Sequence, residues 1–180
     1  LMLVRDLAVL HQHDELLDSV IVLVVPMFSA DAHERKSRYN RINQNGPDEM
    51  GWRHTPIGLN LNRDYTKLDA PEMRALIGNV YSKWWPDLLV DDHTTDGADY
   101  RYDVTYATNH GAGMPAPLDR WVADAIERGM VGRLTAKGHV VAPYLVYKDG
   151  GSDPRAGIQY GNSQPRFSTG YAPLQSRVAL

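Results

Sequence analysis

Between Pro86 and Gly97 the sequence reads P-D-L-L-V-D-D-H-T-T-D-G, an apolar run that gives way in one step to two acids and an imidazole. Leu88, Leu89 and Val90 have the character of a strand buried on both faces, the kind found where helices cover a parallel sheet. Such a strand presents its last residues to the crevice at the carboxyl edge of the sheet, where ligands collect in open α/β folds. The stretch predicts an α/β architecture with Asp91, Asp92 and His93 at a strand tip. His93 is the first functional candidate; the plainer alternative is a histidine satisfied structurally at a strand end.

The flanking patterns agree with that architecture. Leu1, Leu3, Val4, Leu7, Ala8 and Leu10 recur at helical spacing and predict an amphipathic helix running to about Ser19. V-I-V-L-V-V-P, from Val20 to Pro26, then reads as a second central strand stopped by proline. Asp69 and Pro71 open a helix whose apolar face is Met73, Leu76, Ile77, Val80, Tyr81 and Trp84, and both tryptophans at its end are assigned to packing. The longest helix is expected over Pro117 to Lys137, closed by Gly138. Val140 to Tyr147 follows as a strand marked by Pro143, then a short helix near Ser168 to Ser176 and a strand beginning at Val178. The expectation is one domain over residues 1–180 with a mixed, mostly parallel sheet flanked by helices. The opening L-M-L-V and closing R-V-A-L read as interior sequence, so this fold is expected to be incomplete, truncated at both ends.

Composition removes several functions. The 180 residues carry 19 basic and 22 acidic side chains, a net charge of -3, and the signs are interspersed. No basic stripe is present to meet a phosphate backbone, so nucleic acid is not an expected partner. No apolar run reaches the eighteen or so residues of a membrane span. The chain has no cysteine, so any metal must take histidine and carboxylate ligands. Glycine-rich phosphate loops are absent as well.

Two long polar segments are candidates for site walls. Residues 29–56 form a turn-rich loop containing Trp52 and Arg53, and loops of that length inside a domain usually build a site. Leu59 and Leu61 alternate with Asn60 and Asn62, suggesting a short extended segment that delivers Asn62 and Arg63, an amide beside a planar guanidinium suited to a carboxylate. A polar edge strand with Arg63 in a surface ion pair is the alternative. The second loop, beyond His93, contains His110, a weaker candidate because an N-H-G turn explains it without chemistry. His11 and His13 are discounted as a metal pair, since residues two apart on a helix point about 200° apart.

In order and spacing, W-R at Trp52 and Arg53, L-N-R at Leu61 to Arg63 and the acid-acid-His strand end at Asp91 to His93 resemble the zinc carboxypeptidases related to carboxypeptidase A. The resemblance implies a carboxypeptidase-like, phosphorylase/hydrolase-type sandwich, zinc as cofactor, and peptides with a free C-terminal carboxylate as substrate. It implies that His93 is a zinc ligand, Arg53 polarises the scissile carbonyl, and Asn62 with Arg63 grips the terminal carboxylate. A tyrosine of the late loop closes over the substrate in that family, and Tyr160 is preferred to Tyr147 for the role. The family's His-x-x-Glu motif is absent from this sequence, and so is its strand-borne catalytic glutamate. By the family pattern the first falls before residue 1 and the second after Leu180. Two rival readings remain: a carboxypeptidase-like module that binds carboxylate-bearing peptides without hydrolysis, and a two-metal hydrolase using Asp91, Asp92, His93 and Asp96.

Overall fold

The computed structural model describes residues 1–95, 99–110, 113–148, 153–161 and 164–180. Among these, five helices run in chain order: α1 at Met2–Ala8, α2 at Ala30–Glu34, α3 over 71–84, α4 over 116–136 and α5 at Ser168–Leu174. Wide π-type turns interrupt α3 at Ile77–Tyr81 and α4 at Val122–Met130. Six short strands accompany them: β1 Leu88–Leu89, β2 Val104–Tyr106, β3 Val141–Pro143, β4 Leu145–Tyr147, β5 Ile158–Tyr160 and β6 Val178–Ala179.

The strands form three two-stranded sheets rather than one continuous sheet. β1 pairs in parallel with β6 and β2 in parallel with β3, whereas β4 and β5 pair antiparallel. Parallel neighbours need a long crossover, and α4 provides it between β2 and β3, making a βαβ unit. The architecture is thus mixed α/β, with parallel pairing in two of the three sheets.

Four sequence expectations need correction. Val20 to Pro26 forms no ladder with any of the described residues, and its residues from Val20 to Val25 are 39 to 75% exposed. Leu88 to Asp92 is a strand for two residues only and has one neighbour, leaving Val90 54% exposed. The first helix stops at Ala8, followed by left-handed backbone at His11 and His13, since only Leu7 of its apolar face is buried. A helix this short without a packed face has little to hold it. Trp84 and Trp85 are about half exposed; Trp85 takes a left-handed φ of 49°, and its ring stacks under Arg177 at 5.3 Å rather than filling the core.

The apolar centre lies between α3 and the turn before it. Leu61, Tyr65, Ala70 and Met73 are buried together, with Phe28, Leu59, Leu76 and Tyr171 packed against them. Asp64, 4% exposed, accepts hydrogen bonds from the backbone N–H groups of Asp69 (3.0 Å) and Ala70 (2.8 Å). It therefore satisfies the entry to α3, the task the sequence had assigned to Asp69. The chain exposes 12495 Å², against about 8,800 Å² for a compact chain of this mass. Much of the excess is apolar, concentrated in residues 1–27. No helix among the described residues is long and apolar enough to cross a membrane.

Candidate functional site

The L-N-R segment is not extended. Leu61–Arg63 forms a 3₁₀ turn, capped by Asn60, whose side chain accepts a hydrogen bond from the Asn62 N–H at 3.1 Å. Leu61 is driven into the apolar centre, which fixes the direction in which Asn62 and Arg63 leave the turn. Arg63 stacks on Phe167 with its guanidinium carbon 4.3 Å from the ring centre, and donates from Nη1 to the Asn62 carbonyl at 2.5 Å. A stacked, hydrogen-bonded fork is already ordered for a planar anion.

Asn62 bridges to the strand tip. Its Nδ2 lies 3.3 Å from Nε2 of His93, and its Oδ1 accepts from the Ser168 N–H at 3.4 Å. The same His93 Nε2 lies 3.1 Å from Oδ2 of Asp91. Ser168 is buried at the start of α5, with Asp91 and Tyr65 close to its side chain. Burial pushes the Asp91 carboxyl up, but the hydrogen bonds from His93 and Ser168 outweigh it and hold the group below its ordinary value. Tyr65 is pushed far up, first by burial and then by Asp91, and stays a donor. Asp91 thus holds the imidazole of His93 at Nε2.

Arg53 stands to one side, half-buried, in the wall of an open cleft of about 350 Å³. The cleft is also lined by Ser29, His33, Arg41, Gln44, Trp52 and Thr94, and Thr94 joins it to the His93 strand tip. The loop over residues 29–53 is ordered by particular contacts. Ser37 and Met50 form an antiparallel bridge, and buried Asn40 donates to the carbonyls of Arg35 (2.8 Å) and Met50 (2.9 Å). Gln44 Nε2 donates to the Thr95 carbonyl at 2.7 Å, clipping this loop to the segment after His93.

Tyr160 is the last residue of β5. It is opposite Leu145 on β5, 72% exposed, and no hydrogen bond or ring contact among the described residues joins it to His93, Asn62 or Arg63. Asp96, invoked for a two-metal site, lies outside the described residues. Among those described, no group of three histidine, cysteine or acidic side chains is placed to hold a metal ion. Sequence reasoning missed Ser168, Phe167 and Gln44, which act by packing and hydrogen bonding across more than fifty positions and leave no local pattern.

No protein-family model matches the chain, and neither do any curated proteins or solved structures.

Proposed function

We propose that this chain is part of the catalytic domain of a zinc carboxypeptidase, its paired strands being portions of a carboxypeptidase-like mixed sheet, and that the domain releases C-terminal residues from peptides. The observation that carries this reading is the 3.3 Å contact between Asn62 and His93, which puts the L-N-R turn and the acid-acid-His strand tip on one surface. In this reading Arg63 and Asn62 hold the substrate's terminal carboxylate, the guanidinium through charge-assisted hydrogen bonds. Arg53, in the adjoining cleft wall, stabilises negative charge developing on the carbonyl oxygen. Tyr160 is assigned to closing over the bound peptide.

Zinc, when bound, activates water near neutral pH and polarises the carbonyl. His93 and neighbouring Asp91 are nitrogen and oxygen donors of the kind zinc accepts, 3.1 Å apart. Two donors fall short of the three protein ligands of a catalytic zinc site. The reading therefore requires donors of the His-x-x-Glu type in the same polypeptide. A carboxylate-binding module without hydrolysis is the second reading, favoured by that two-donor set.

Zinc content and release of the last residue from a blocked dipeptide, measured for this chain and for any longer polypeptide containing it, separate the two readings. The expected result is zinc-dependent turnover only where the further donors are present, with Arg53→Ala lowering kcat by about 10²- to 10³-fold. Binding of the dipeptide without turnover in any such polypeptide sinks the enzyme reading.

A further inference from the structure

We infer that residues 20–25 pair with the same residues of a second copy of this chain, antiparallel about a two-fold axis that passes between Val22 and Leu23. This pairing is independent of the carboxypeptidase reading. The segment runs without helix, turn or bend, and none of its residues takes a positive φ. None of its backbone N–H or C=O groups has a hydrogen-bond partner among the described residues. Its six side chains are all apolar and 39 to 75% exposed. A straight, β-branched stretch with open edges is a template for one more strand, held first by main-chain hydrogen bonds.

The sequence and the exposed surface select a second copy as that strand. No charged side chain stands between Asp18 and Asp31, so the segment meets itself without repulsion and offers no charge for a partner of opposite sign to read. Antiparallel pairing about the two-fold sets Val20 against Val25, Ile21 against Val24 and Val22 against Leu23, so every opposed pair is aliphatic and includes a β-branched residue. Such a contact is isologous: both copies give the same patch, and the dimer closes. The surface suffices for it. The chain exposes 12495 Å², about 3,700 Å² more than a compact chain of this mass, whereas an interface of standard size takes about 800 Å² from each partner. A two-stranded ribbon alone is marginal, and exposed Leu16, Leu17 and Met27 stand nearest in sequence to extend the contact. Pro26 has no N–H and ends the ladder, and Phe28 packs on the apolar centre, so the strand is offered from a fixed point of the fold.

Sedimentation velocity on the 180-residue chain, from about 1 to 100 μM, tests the pairing. The mass is expected to double from 20.2 kDa as concentration rises. Val22→Lys and Leu23→Glu, each alone, are expected to weaken the dimer at least about tenfold, because like charges then meet beside the axis. An equimolar mixture of the two variants is expected to restore it, since in this register the new ammonium and the new carboxylate stand opposite each other. Both positions are exposed, and far-ultraviolet circular dichroism of each variant is expected to match the unsubstituted chain. Hydrogen exchange on the unsubstituted chain reads the same contact without any substitution: alternate amides over residues 20–25 slow as the dimer forms. A monomer throughout the range, an association that neither substitution weakens, or a mixture that stays monomeric overturns the inference. Amide exchange over 20–25 that ignores concentration does so too, as does growth into ever larger species, the mark of open-ended strand stacking.

Discussion

Asn62 holds His93 with one end of its amide and Ser168 with the other, at 3.3 and 3.4 Å, across 31 and 106 positions of sequence. The Oδ1 contact is a hydrogen bond donated by the Ser168 N–H, and leucine, of similar shape, supplies no acceptor for it. Asn62→Leu is expected to lower unfolding free energy by about 1 to 2 kcal/mol in urea titrations. The variant is also expected to shift the His93 ring nitrogen resonances. An unchanged midpoint together with unchanged resonances contradicts the bridge.

Asp64 closes the entry to α3. Its two carboxylate oxygens each accept one backbone N–H, from Asp69 and Ala70, and the side chain is almost fully enclosed. Removing the carboxylate leaves two enclosed donors without a partner. Asp64→Ala is expected to cost about 2 kcal/mol or more of unfolding free energy. Urea titration monitored by far-ultraviolet circular dichroism measures this directly, and a loss under about 0.5 kcal/mol would show that another group has taken over the cap.

Local patterns carried the three later helices well, but overran the first, missed the helix at Ala30–Glu34, and carried the strands poorly. The spacing of Met73, Leu76 and Tyr81 placed α3, and the start of β6 at Val178 was legible from composition, whereas Val140 to Tyr147, read as one strand, divides at Tyr144 into β3 and β4 of different sheets. Val20 to Val25 has as strong a strand composition as any segment, yet it pairs with no strand among the described residues. Strand formation depends on a partner elsewhere, and composition does not supply one. The candidate site divides in the same way. His93, Asn62 and Arg63 were visible as chemistry-bearing types beside apolar runs, and the contact between Asn62 and His93 brings two of them together. Ser168 and Asp64 look like ordinary turn residues in the sequence, because what distinguishes them is which distant groups they bond.

His110 provides the pH test. Its Nδ1 lies 2.8 Å from Asp119 Oδ1 and its Nε2 2.7 Å from Glu127 Oε1, both on α4, and Glu127 also accepts from the Thr108 hydroxyl at 2.6 Å. With both ring nitrogens facing carboxylates, the imidazolium is the favoured form. The hydrogen bond that His110 donates to Glu127 comes first in raising the His110 pKa above its ordinary value, joined by the bond to Asp119 against a smaller opposing effect of burial. For Glu127, burial raises the carboxyl, but the bonds from Thr108 and His110 outweigh it and bring the value down. A raised histidine contributes stability that is complete below the unfolded value, about 6.5, and is lost as pH climbs through the folded value. A lowered glutamate contributes stability that is complete above its unfolded value, about 4.3, and is lost as pH falls through the folded one. The pair is therefore strongest between about pH 4.5 and 6.5. Unfolding free energy is expected to drop from pH 6 to pH 8.5, and His110→Gln is expected to flatten that drop and to weaken the acid-side loss too, because His110 helps to lower Glu127. The groups are about one-third exposed, so the change is small and is best read from urea midpoints at the two pH values. A His110 ring-proton titration with its midpoint at or below 6.5, or an identical pH slope in His110→Gln, contradicts the pairing.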